Sequence, residues 1–200
     1  MVEPLPTPDP TGFWAWFSEH QQSLLEIIRG RGQGKVTDQF DAALTRHGLQ
    51  VAYEITEGEL GGELTFTPGG DPAVAAFLDR LVKAAPTLPA WRIHSRIQRK
   101  SLAQAKAFVK ALHGVDLTGL HLQVATQDGL YHLRFVHAAL AQLPEAQRFD
   151  VAGTFLDHAL GEAIAMGFVA SVGFTDKGEG LEVALVINEI IRRAEQEARA

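Results

Sequence analysis

The order of local folding signals constrains this chain most, because it runs α-β-β-α-β twice. In the first pass Thr37 can N-cap a short helix carrying Phe40, Ala43 and Leu44, which Gly48 stops. Val51, Tyr53 and Ile55 then alternate with polar neighbours, as do Leu64 and Phe66 after the Gly61 and Gly62 pair, which predicts a hairpin over residues 50–56 and 61–67. Asp71 before Pro72 starts a helix that packs Val74, Phe77, Leu78, Leu81 and Val82, and Pro89 precedes a strand over residues 90–99. In the second pass Ser101 with Gln104 forms a capping box for a helix closed by Gly114. Strands over 120–126 and 130–137 flank Asp128 and Gly129, a strong hairpin pair. Asp150 can cap a helix reaching Gly167, and residues 168–175 read as a strand.

Flanking segments complete the outline. Four prolines make residues 1–10 an extended arm, and Phe13, Trp16, Phe17, Leu24, Ile27 and Ile28 then recur at helical spacing. GRGQGK after this helix lacks both a preceding strand and a following Ser or Thr, so it reads as a connector rather than a phosphate loop. An amphipathic helix from about Leu181 closes the chain. Two hundred residues suffice for one substantial domain or two small ones. The expectation is a single compact α+β domain over 11–200, with joined halves at 36–100 and 101–180.

From residue 90 the order becomes β-α-β-β-α-β, the ferredoxin-like arrangement. That order places residues 90–99 beside 130–137, with 120–126 on the far side of the latter. Alternation in the strands puts helices mainly on one face of an antiparallel-rich sheet. The fold class expected is therefore α+β.

Charge singles out one region of that sheet. Arg80, Lys83, Arg92, Arg96, Arg99, Lys100, Lys106 and Lys110 lie between Asp79 and Asp116 with no acidic residue among them. The remainder carries 10 cationic against 24 anionic groups, a net of −14 beside a segment of +8. In WRIHSRIQRK, period two separates Trp91, Ile93, Ser95 and Ile97 from Arg92, His94, Arg96, Gln98 and Lys100. His132 and Arg134 oppose Tyr131, Leu133 and Phe135 in the same way, and His121 and Gln123 oppose Leu120, Leu122 and Val124. With the expected strand order, Arg92, His94, Arg96, His121, His132 and Arg134 converge on the helix-free face. Guanidinium forks and imidazoles suit a carboxylate or phosphate. The opposing reading is that Glu54 and Glu63 neutralise these arginines across the sheet.

Other chemistries find little support. There is no cysteine, hence no disulfide, thiolate nucleophile or cysteine-held metal. The N-terminus has no signal-peptide pattern and no long apolar run occurs, so the expected location is cytoplasmic, away from membranes. A net charge of −6 and inward-pointing sheet aromatics disfavour nucleic acid. No G-x-S-x-G, H-E-x-x-H, EF-hand or kinase signature is present, and neither a cofactor nor a metal is expected. In the helix RFDVAGTFLDHALGEAIAMG, Asp157, His158 and Glu162 are secondary candidates, with His158 and Glu162 at i,i+4 spacing. Gly161 weakens that helix and points to close approach of another backbone.

FWAWF near the start, AAPTLPAW at 84–91 and FLDHALGE at 155–162 resemble an uncharacterised group of bacterial proteins. The group shows an N-terminal aromatic helix, an AP-x-L-x-x-W stretch and an LD-x-x-LGE helix. The resemblance implies a shared fold and draws attention to Trp91, Asp157, Gly161 and Glu162. It supplies no activity.

The functional expectation is a non-catalytic or regulatory binding protein that accepts an anionic small molecule or an acidic partner segment on the basic sheet face. A hydrolase or lyase using His94 or His132 beside Arg92, Arg96 and Arg134 is the enzyme alternative. A structural protein without a small-molecule site is the third, with Leu185, Ile187 and Ile191 of the last helix as a homodimer surface.

Overall fold

The computed structural model describes residues 7–59 and 61–199. Contacts divide the chain into two compact units, the first ending at Arg96 and the second starting at Ile97. Residues 1–6 of the expected arm lie outside the described residues.

In the first unit Asp9 accepts the Gly12 N–H at 2.9 Å and starts α1 (Pro10–Ile28). Pro10 therefore sits at the first helical position, where its missing donor costs nothing. Helix α2 (Val36–Arg46) begins one residue before the expected cap Thr37 and has no side-chain cap. Strands β1 (Ala52–Gly58) and β2 (Gly61–Thr67) form the predicted antiparallel hairpin, with Tyr53 opposite Phe66 and Ile55 opposite Leu64. Asp71 caps α3 (Pro72–Lys83) through the Ala73 and Val74 N–H groups, and β3 (Trp91–His94) returns parallel to β2. Phe13, Trp14 and Phe17 of α1 join Phe40, Leu64, Phe66, Leu78, Leu81 and Trp91 in one core. The Trp91 ring lies on the backbone of its partner Gly62, where a Cβ would stand 2.4 Å from the indole.

The second unit opens with the predicted capping box of Ser101 and Gln104 on α4 (Leu102–His113), closed by Gly114 at φ 70°. Strands β4 (His121–Gln127) and β5 (Leu130–Val136) turn through Asp128 and Gly129, whose φ values of 50° and 82° suit a tight primed turn. Three helices follow: α5 (Ala138–Ala141), α6 (Glu145–Leu160) and α7 (Glu162–Phe168). Then come β6 (Val169–Thr175), β7 (Leu181–Glu182) and α8 (Val183–Glu197). The sheet order is β6-β5-β4-β7, with β6 parallel to β5 and β7 antiparallel to β4. Phe135, Leu122, Leu133, Val151, Phe155, Val186 and Ile190 are among its core residues.

The class is α+β, and both units repeat one topology. Each hairpin is followed by helix and then by a third strand parallel to the hairpin's second strand. This overturns one expected neighbour: the strand after Pro89 pairs with β2, not with residues 130–137. A strand reached through a helical crossover settles beside the strand that preceded the helix, and Gly62 leaves room there for Trp91.

The strand is also shorter than its alternation suggests. After His94 the backbone leaves the sheet, and the Ile97 N–H donates to the Glu162 carboxylate at 3.1 Å. Lys100 N–H donates to the His158 carbonyl at 2.7 Å. These bonds explain why the expected helix over 150–167 breaks at Gly161. Its φ of 83° and ψ of 136° are not helical, and a Cβ there would sit 3.3 Å from the Arg99 nitrogen. In α8, Ile187 and Ile191 turn into the core and Leu185 alone of the three expected dimer-surface residues is exposed.

Candidate functional site

The six expected site residues fall on different sheets. Arg92 and His94 belong to β3 and Arg96 follows it, whereas His121, His132 and Arg134 belong to β4 and β5 of the second unit. Convergence of all six on one sheet face is therefore corrected, because it required β3 beside β5.

The first unit's three candidates, Arg92, His94 and Arg96, stand near carboxylates. Register puts Arg92 opposite Glu63 and His94 opposite Thr65, while Thr65 also faces Glu54. His94 Nε2 lies 3.9 Å from Glu63. Arg96 grips Asp79 with both terminal nitrogens, at 2.6 and 2.8 Å, and Ser95 donates to the same carboxylate at 2.8 Å. The guanidinium first, and the hydroxyl after it, hold the Asp79 carboxyl below its ordinary range.

The second unit's sheet face is different. Gln123 of β4 stands opposite Arg134 of β5, and Ser171 and Gly173 of β6 stand opposite His132 and Arg134. His132 Nδ1 and the Ser171 hydroxyl are hydrogen-bonded at 2.8 Å. Arg134 is exposed, and its Cγ and Nε each lie 3.8 Å from where a Cβ on Gly173 would be. Its arm therefore lies beside Gly173, next to the space that the glycine leaves open. Among the described residues no carboxylate pairs with Arg134. Together with Gln123, Ser171 and Gly173, His132 and Arg134 line a concavity of 310 Å³. His121 lies towards the opposite edge, opposite Glu182, with its Nδ1 donating to the Gly119 carbonyl at 2.9 Å.

Ser171 and Gly173 are the contributors that residue-level reading missed. Their signal is the alternation of VASVGFT, which sets both on the face opposite Val172 and Phe174. Such small residues carry no charge and so draw no attention before a neighbouring strand is known.

The secondary candidates serve a local junction. Glu162 is 1% exposed and bonds Ile97 in both directions, its N–H donating to the Ile97 carbonyl at 3.0 Å. His158, equally buried, donates Nδ1–H to the Thr154 carbonyl at 2.8 Å and stacks on Phe108 at 4.1 Å. Lys100 lies over that phenyl ring at 4.7 Å, and Asp157 is half-buried on α6. Among the described residues no group of three or more His, Asp or Glu is placed to hold a metal ion. No described helix is long and apolar enough to cross a membrane. No family model, curated protein or solved structure matches the chain.

Proposed function

We propose that the helix-free face of β4, β5 and β6 binds an anionic group, and that the protein is a cytoplasmic, non-catalytic or regulatory binding protein. The anion is carried by a small molecule or by an acidic segment of a partner. The observation that supports this most is Arg134, exposed, unneutralised by any described carboxylate and flanked by the His132 and Ser171 pair. A guanidinium with adjacent hydroxyl and imidazole donors suits carboxylate or phosphate. Arg92 and His94 face Glu63 and make poorer candidates.

Thermal unfolding against succinate, inorganic phosphate and nucleotides tests the reading, since a ligand at 100 times its Kd adds about 2.7 kcal/mol of stability. An anion-specific shift that Arg134→Ala removes and Arg92→Ala retains is the expected result. No shift, or equal loss in both variants, overturns it.

The 2.8 Å contact of His132 with Ser171 also favours a second reading, a hydrolase in which the imidazole takes the hydroxyl proton. Multiple turnovers of an activated ester, abolished by Ser171→Ala, would select it over binding alone.

A further inference from the structure

We infer that the outer edge of β6 receives an extended partner segment of alternating acidic and apolar residues, which adds a strand to the second unit's sheet. The inference rests on the anionic reading of the same face and commits it to a peptide.

Exposed strand edges offer unpaired N–H and C=O groups, and proteins usually blunt them with charge, proline or brevity. Among the described residues, three of the four sheet ends follow that rule. Strand β1 carries Glu54 and Glu57, β3 has four residues and β7 has two. Strand β6 ends the order β6-β5-β4-β7, runs for seven residues and contains neither charge nor proline. Among the described residues no strand pairs with its outer side.

Both faces beside that edge are suited to one kind of strand. On the outer face Arg134 stands beside Gly173, whose missing side chain leaves the arm uncovered on the side of β6. Ser171, Gly173 and Thr175 are small, and Asp176 lies beyond the strand's end. On the inner face Phe174 of β6 meets Phe149 of α6 at 5.1 Å, and Phe149 remains 46% exposed. An added strand alternates its side chains between these faces. Carboxylates would then meet Arg134, and apolar groups would cover Phe149. Main-chain bonds to the edge supply affinity while the alternation supplies specificity.

Calorimetric titration of the full chain tests this with succinate, a short peptide of alternating glutamate and valine, and the same peptide N-methylated at every second residue in either register. The glutamate peptide should bind roughly tenfold or more tightly than succinate and lose about as much in Arg134→Ala. One N-methylation register should abolish binding and the other should leave it, because ladder bonds use alternate residues. If the peptide binds no better than succinate, and both are lost in Arg134→Ala, the anionic site stands and the strand addition is overturned. Tolerance of both methylated peptides also overturns it. Failure of every probe removes both readings. A dimer of the chain alone that the peptide dissociates would assign the edge to a second copy and overturn the partner-segment inference.

Discussion

Glu162 holds Ile97 from both sides: its buried carboxylate accepts the Ile97 N–H at 3.1 Å while its own N–H donates to the Ile97 carbonyl at 3.0 Å. Removing the carboxylate strands a buried donor. Glu162→Ala should therefore cost about 1–3 kcal/mol of unfolding free energy, with Glu162→Gln losing less because its amide oxygen still accepts. Urea denaturation of the two variants measures the difference.

Two glycines should respond with opposite signs. At Gly62 a Cβ meets the Trp91 ring at 2.4 Å, so Gly62→Ala should destabilise by about 1–3 kcal/mol through overpacking. Gly153, inside α6, has nothing within 4 Å of its missing Cβ. Gly153→Ala should raise stability by up to about 1 kcal/mol through helix propensity. Chemical denaturation reads both, and near-ultraviolet circular dichroism should change at the indole in the first variant alone.

Acid should weaken the Asp79 and Arg96 pair. Because its carboxyl pKa is depressed in the folded state, Asp79 contributes stability above its unfolded pKa of about 3.9 and loses it as pH falls through the folded value. Denaturation curves from neutral pH down to about 3 should fall less steeply for Asp79→Asn than for the parent chain. The Asp79 side chain is 48% exposed, so added salt should narrow that gap.

Alkaline titration should single out Tyr53. Burial first, then the 2.7 Å bond to Asp41, push its phenol well above the ordinary value. A raised folded pKa gives stability that is full below the unfolded value near 10 and disappears as pH rises through the folded value. Absorbance should show Tyr53 still protonated past pH of about 10 in the folded chain, with earlier ionisation in Asp41→Asn.

Local chemistry was the legible part of this fold. Asp71 with Pro72, Ser101 with Gln104, and Asp128 with Gly129 each announce a cap or turn through groups a few residues apart, and each occurs as expected. Strand partners were not legible in the same way. Alternation in WRIHSRIQRK tells which residues share a face, but β2 and β5 offer equally alternating neighbours. What decides between them is the space over Gly62, visible only once Trp91 lies on it. The early end of β3 has a similar origin, because the Ile97 and Lys100 N–H groups find acceptors on a distant helix junction. For the candidate site, Arg134 and His132 were evident from charge, whereas Ser171 and Gly173 matter through what they leave room for.

The clasp at Ile97 joins residues 65 positions apart. During ribosomal synthesis, Ile97 is made well before the carboxylate that will hold it, while the hairpin of β4 and β5 already has both of its strands. Contacts of such long sequence separation must wait for loop closure, whereas turn-linked strands need not. The opening residues of the second unit are thus the first of it to be made and among the last to be fastened, a built-in interval during which a nascent chain is open to chaperones and proteases at that point.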